Sequence, residues 1–501
     1  MAELQDQEAK FGDTDNTLLL KAATALQAVA SGGAGDAVLY TAQTKTAAEQ
    51  LIARKNLGAL SQVTLLGDDG SQTVFPPAAD TNAARGTALQ AAKTAAASGD
   101  TIFVGPGTYD TNNLLKNGVN WDFAPGAKVN FTGTSDTAIF DDGPNGTNGA
   151  VTCVIRGDSF RNTGAPINPQ VGAWVFGTVI NQTNAGSFIT IYSNLLSDET
   201  TVITPSNEYP VAIWAGKGRM EVHSNRILST NGSPVYWERG RCDIYAFTIE
   251  AISNAVGQAV VGNVDANADA INGALWIRAN SLLAPANGLL IQWIASTQPT
   301  AQMWIEAFEF RGGNSLFLGS GGKVYLTANK FGVLGGVSPT DGRIQIDTGL
   351  VWITCQKNAS CNIAISGGSL EYTSQEFLDD VGNTAEMVKL TNDSDTSLCV
   401  INGGQWTAAT SKGFSVGTGC TLRLNAPTIN TAAVATTSPI TKSGGTCVLG
   451  AGTTLVANVG ADSIAAGTAQ NIVSYSAYSN RAANANVTVL VGPFTVDTNV
   501  I

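Results

Sequence analysis

From residue 150 to about residue 430 the chain alternates apolar and polar residues in short runs, and the runs share a shape. Ten segments of eight can be laid over one another. They are CVIRGDSF (153–160), MEVHSNRI (220–227), CDIYAFTI (242–249), LWIRANSL (275–282), MWIEAFEF (303–310), VYLTANKF (324–331), IQIDTGLV (344–351), IAISGGSL (363–370), CVINGGQW (399–406) and LRLNAPTI (422–429). Apolar residues at positions 1, 3 and 8 select the set, so their agreement carries no weight. Position 5 plays no part in the selection, yet it is Gly, Ser, Ala or Thr throughout, and position 6 is Asn, Asp or Gly in seven of the ten. Positions 1 to 4 therefore alternate in and out as a strand does. A small residue followed by one that tolerates positive φ then bends the chain, and position 8 points inward again. From the second copy onward the starts lie 19 to 36 residues apart. The shorter intervals match one coil of a parallel β-helix, and the longer ones leave room for loops such as 161–219 and 371–398. The pattern predicts an all-β chain with a right-handed parallel β-helix as its body over 85–430.

The flanks read differently. TDNTLLLKAATALQAVASGG (14–33) and TKTAAEQLIARKNLG (44–58) predict two short helices, each with a polar N-cap and a glycine stop, within an N-terminal module of residues 1–62. GDDG and FPPAADTN give 63–84 the chemistry of a linker. RGTALQAAKTAAASGDTIFV (85–104) predicts an Ala-rich helix directly before the first strand, placed to cover the open end of a stack. Beyond residue 430 the pattern is lost, and 431–501 predict a separate C-terminal β module, with the last irregular coils of the body as the alternative.

Composition narrows the function classes. Charged residues are only 13% of the chain and the net charge is −12, which opposes binding to a phosphate backbone, so no nucleic-acid role is expected. No apolar run approaches a membrane span, and MAELQDQEAKFGD has no secretory h-region, so neither membrane insertion nor secretion is expected. Seven cysteines without paired spacing argue against a disulfide framework and a zinc site and for a reducing cytoplasm. Cys153, Cys242 and Cys399 fall at inward position 1, where a thiol packs as a small hydrophobe. GDDG (67–70) and DANAD (265–269) lack the spacing of a calcium loop, and no cofactor or metal is expected.

Two stretches carry a resemblance. YTAQTKTAAEQLIARKNLGAL (40–60) resembles the helical linker motif near the N-termini of bacteriophage fibres, and ALQAAKTAAASGDTIFVGPGTY (88–109) resembles the entry into the pectate-lyase-like β-helix of tailspikes. The second motif also occurs in bacterial polysaccharide lyases. The tail fibre and tailspike resemblance implies a homotrimer, attachment to other virion proteins through the N-terminal module, and adsorption to host cell-surface polysaccharide. It implies a virion protein assembled in the host cytoplasm.

Chemistry, if any, sits at outward positions 2 and 4. Position 2 carries Glu221, Asp243, Trp276, Trp304, Tyr325 and Gln345 in successive copies, and position 4 carries His223, Tyr245, Arg278, Glu306, Thr327 and Asp347. Trp276, Trp304 and Tyr325 beside Arg278 form a stripe suited either to sugar rings or to a neighbouring subunit. Two carboxylate pairs could serve a glycosidase. Glu306 and Asp347, two rungs apart at roughly 9–10 Å, approach the inverting separation. Glu221 and Asp243, one rung apart at roughly 5 Å, match the retaining one. Outward carboxylates on a solenoid are more often simply solvated, and His223 beside Glu221 reads as polar decoration. A structural, adhesive virion fibre is the expectation. Its alternatives are a tailspike depolymerase, a head-attached fibre and, more remotely, a bacterial lyase.

Overall fold

The structure is a computed structural model. It describes residues 62–491 except 112, 132–137, 142–148, 163–177, 183–185, 200–210, 217, 231, 239, 253–257, 264–272, 286–287, 296–299, 313–314, 334–343, 360–361, 379–385, 392–396, 436, 459–460, 467–469 and 475–486. The chain divides into units Met1–Ala59 and Leu60–Ile501. The first unit, with the two expected N-terminal helices, lies outside the described residues. In the second, the described residues form one long, mostly parallel sheet and a single helix.

Two ladders of parallel strands alternate along the chain. The main ladder runs through Phe188–Asp198, Arg219–Ser229, Arg241–Ala251, Ala274–Leu283, Gln302–Gly312 and the second half of Ser315–Val333. It continues through Ile344–Ala359 and Ser369–Leu378 to the shorter strands beyond. A return ladder runs through Val211–Ala215, Ser233–Trp237, Gln258–Asn263, Leu289–Ala295 and the first half of Ser315–Val333. Each strand pairs with the one a coil later, a pattern compatible with a β-helix solenoid.

Register follows the apolar columns. Met220, Cys242, Leu275, Met303 and Val324 are successive partners at position 1, and Ile227, Ile249, Leu282, Phe310 and Phe331 at position 8; all ten are buried. A one-residue slip would turn every one of these side chains to solvent, so burial fixes the pairing. The inward side of the return ladder holds larger residues. Trp237 and Trp293 stack with ring centroids 5.3 Å apart although a full rung separates them, because Gly262 between them has no side chain to fill the gap. A Cβ on Gly262 would lie 2.2 Å from the Trp293 ring.

Five expectations need correction. IQIDTGLV and IAISGGSL are out of phase, since Ile344 pairs with Phe317 and Ile363 on the return ladder. The main-ladder copies are VWITCQKN (351–358) and LEYTSQEF (370–377), with Val351 and Leu370 at position 1. Both corners of a coil use small residues after an apolar alternation, so the same template fits either. Second, the 161–219 stretch contains a full copy, ITIYSNLL (189–196), whose Ile189 pairs with Cys153 and Met220, and 371–398 likewise holds ladder strands. Third, Asn225, Asn280 and Asn329 do not bend the chain through positive φ, which they do not adopt. Instead the Asn225 amide donates to Asn194 Oδ1 at 2.8 Å, and the Asn194 amide donates to Asp158 in turn.

Fourth, the expected linker 63–84 is not loop. VTLL and QTVF pair as an antiparallel hairpin across GDDG, and Val63–Leu66 also pairs with Thr101–Val104, the first strand of the parallel stack. The helix Asn82–Ala95 starts earlier than expected because Thr81 Oγ1 caps it by accepting from Ala84 N–H. It buries Ala88, Leu89 and Ala92 beside that same end of the stack. The first strand edge is thus covered by both hairpin and helix. Fifth, the 431–501 stretch is no separate module where it is described, since Thr446–Leu449, Gln470–Ser474 and Val487–Val491 pair onward from Thr421–Asn425 in one ladder.

The described cysteines behave as core. Cys153, Cys242, Cys355, Cys399, Cys420 and Cys447 are buried and no disulfide joins any two of them, while Cys361 lies outside the described residues. Burial pushes the thiols of Cys153 and Cys447 up to about 12 and that of Cys355 to about 11. The thiolate is the reactive form, so at pH 8 these six groups are expected to be inert to Ellman's reagent in the native chain and to react in 6 M guanidinium. Rapid native labelling of more than one thiol per chain would contradict this burial.

Candidate functional site

The outward side of the main ladder forms a grid, because register stacks equal positions of successive rungs about 4.8 Å apart. Position 2 brings Trp276, Trp304 and Tyr325 together as expected, and adds Trp352. Ring centroids lie 4.2, 5.1 and 4.6 Å apart with planes within 15° of parallel. A second stack, Tyr192–His223–Tyr245, occupies position 4 on the preceding rungs, with both spacings 4.8 Å. Trp352 and Tyr192 were legible in principle. Both carry the shared signal, a small residue at position 5: Cys355 in VWITCQKN (351–358) and Ser193 in ITIYSNLL (189–196).

This stacking decides what the column can do. Each inner ring has a neighbouring ring on both faces, so Trp304 and Tyr325 present only edges outward. A sugar that lies flat on an aromatic face can reach such a face only at the column ends, Trp276 and Trp352. Trp276 is the more open of the two, at 40% exposure.

The carboxylates are placed unequally. Glu221 and Asp243 are direct partners on adjacent strands, as expected. Each already has a partner of its own: Glu221 Oε1 lies 2.9 Å from His223 Nε2, and Asp243 Oδ2 accepts from Arg241 Nε at 2.8 Å. That hydrogen bond and the charge behind it hold the Arg241 guanidinium above its ordinary range. Asp243 is only 5% exposed, which leaves it little access to any substrate. Glu306 lies at position 4 and pairs with Arg278 Nε at 3.2 Å, both side chains largely exposed.

Asp347 does not share the Glu306 column. It follows Ile346 on the return ladder, where its Oδ1 accepts from Ser366 Oγ at 2.9 Å and from Gln345 Nε2 at 3.1 Å. The rungs after Thr327 carry Thr354 and Thr373 at that position instead. The Glu306–Asp347 pair expected for inversion is therefore not formed, and Gln345 leaves the position-2 column with it. Being solvated on both sides, the Arg278–Glu306 pair contributes little. Glu306→Gln is expected to leave the unfolding midpoint in urea unchanged within error; a clear shift would show that this pair is not solvated.

Among the described residues no three metal-ligating side chains gather at one point, and no helix is long and apolar enough to cross a membrane. No family model, curated protein or solved structure matches the chain.

Proposed function

We propose that this chain is a structural, adhesive bacteriophage virion fibre of the tail fibre or tailspike kind. Its body is a right-handed β-helix, it assembles as a homotrimer, and it holds the particle to host-surface polysaccharide. One observation carries the reading most. A ladder in continuous register displays a four-ring aromatic column on its outer side, and large outward rings on a soluble chain are retained for a partner. The helix and hairpin over the first strand suit a solenoid entered from an N-terminal attachment module.

Adhesion without hydrolysis is favoured because Glu221 and Asp243 are each engaged by a cation-forming neighbour and Asp243 is nearly sealed. The second reading, a depolymerase, rests on the adjacency of those same two residues. The test is light scattering followed by incubation with bacterial surface polysaccharides. A trimer of about 155 kDa (three times 51.6 kDa) that retains polysaccharide and releases no reducing ends is expected. In that assay Trp276→Ala is expected to weaken retention by about tenfold, the equivalent of about 1.4 kcal/mol. Oligosaccharide release that disappears in Glu221→Gln or Asp243→Asn would replace adhesion with hydrolysis.

A further inference from the structure

A second outward column lies at position 6 of the same ladder, where the inward–outward alternation shifts phase. From Phe188–Asp198 to Ser369–Leu378 it reads Asn194, Asn225, Phe247, Asn280, Phe308, Asn329, Gln356 and Gln375. The rungs are held in register on either side of it, as at Ser193–Ser224 and Leu195–Arg226. All eight residues are exposed and none is charged; Asp158, at the same position one rung earlier, ends the run and accepts from the Asn194 amide. The adjacent position 7 differs sharply over the same eight rungs, carrying Arg226, Glu309, Lys330, Lys357 and Glu376. Position 2 includes Glu221, Asp243 and Glu371, and position 4 includes Arg278 and Glu306.

Phe247 and Phe308 interrupt the amides two rungs apart. At 63% and 58% they are the most exposed large apolar side chains among the described residues, and neither ring stacks on another there. Two open phenylalanines on one edge are costly to leave in water.

Part of the amide run is bonded along the ladder, as Asn225 to Asn194; a rotation axis explains why, over these eight rungs, open phenylalanines join the amides and charges do not. A residue on or beside the axis meets its own copies. A carboxylate or an ammonium there would face a like charge at short range. An amide carries both donor and acceptor and can bond to another of itself, and phenylalanine packs against phenylalanine. A partner of different sequence would set no such limit, because it could meet each charge with its opposite. We propose that this ridge is the line along which copies of this chain meet about their axis, with Phe247 and Phe308 as its apolar anchors. The proposal rests on the trimeric reading above. It leaves the position-2 column on the flank, where Trp276 remains open to a glycan.

The test uses the full chain and two kinds of variant. Asn280→Cys places a thiol on the ridge between the two phenylalanines, and Thr327→Cys places one at exposed position 4, off the ridge. After mild oxidation, Asn280→Cys is expected to run as a covalent dimer in denaturing gels, while Thr327→Cys and the parent chain stay monomeric there. The six described native thiols are buried, and Cys361, outside the described residues, is replaced by Ser in every chain compared. Phe247→Asp combined with Phe308→Asp is expected to lower the mass in light scattering from about 155 kDa to the 51.6 kDa of one chain, with the β-sheet circular dichroism kept. A parent chain that is itself monomeric would overturn the trimeric reading and this proposal together. A trimeric parent whose Asn280→Cys variant gives no covalent dimer would overturn the ridge alone, whatever the aspartate variant does.

Discussion

Gly349→Ala is expected to destabilise the chain by about 2–5 kcal/mol, from left-handed strain of about 1–2 kcal/mol together with steric overlap of about 1–3 kcal/mol. Gly349 sits at the corner where the return ladder feeds the main one, with φ +94°. A Cβ there would lie 2.6 Å from the carbonyl carbon and oxygen of Gly321, one coil earlier. Those atoms are backbone and cannot rotate away as a side chain could. Gly368, one coil later with φ +73°, repeats the arrangement, since its Cβ would meet Gly349 O at 2.4 Å. The three glycines form a column that lets successive corners nest, so Gly368→Ala should cost a similar amount. Because the two sites share atoms, the double variant should cost less than the sum. Urea unfolding followed by circular dichroism measures this. A loss under about 1 kcal/mol in Gly349→Ala, below either contribution taken alone at its centre, would show that the corner relaxes freely.

That same corner limited what could be read from the sequence. The main-ladder copies from Met220 to Val324 were legible with their register, because alternation, a small residue and a late apolar residue occur together only at a bend. The return corner produces the same combination, Ile344 and Ile346 followed by Thr348–Gly349 and then Val351, so the template slipped by one side of the coil. Asp347 was carried into the wrong column by that slip, and Trp352 dropped out of the right one. Nothing local separates the two corners; the difference lies in which strand sits above, a contact about twenty residues away. At position 6 the residue type was right and its cause was not. Asn225 serves there through a side-chain ladder to Asn194, which backbone propensity does not encode. The 63–75 hairpin was missed for a related reason, since VTLL and QTVF are too short to signal strands until Thr101–Val104 supplies a partner. The pairing of Asp243 with Arg241 was within reach, because both face outward two residues apart on one strand.

Trp293→Ala is expected to be the most damaging single truncation of the interior, at about 3–5 kcal/mol. Trp293 is fully buried and does three separable things. It fills the return side of the coil over Gly262, it stacks on Trp237 at 13° between planes, and its Nε1–H donates to Gly321 O at 3.0 Å. The last contact ties the indole to the glycine corner, so the aromatic core and the corner column are one construction. Trp293→Phe keeps a stacked ring and removes the donor, leaving the half-buried Gly321 carbonyl without the indole N–H. Its expected cost is intermediate, about 1–3 kcal/mol. Paired with Gly349→Ala, which displaces Gly321 from the other side, Trp293→Phe should be clearly non-additive. Paired with Glu306→Gln on the outer face it should be additive within about 0.5 kcal/mol. If the corner pair proves as additive as the outer-face pair, the indole acts by filling volume alone and the hydrogen bond to Gly321 holds nothing in place.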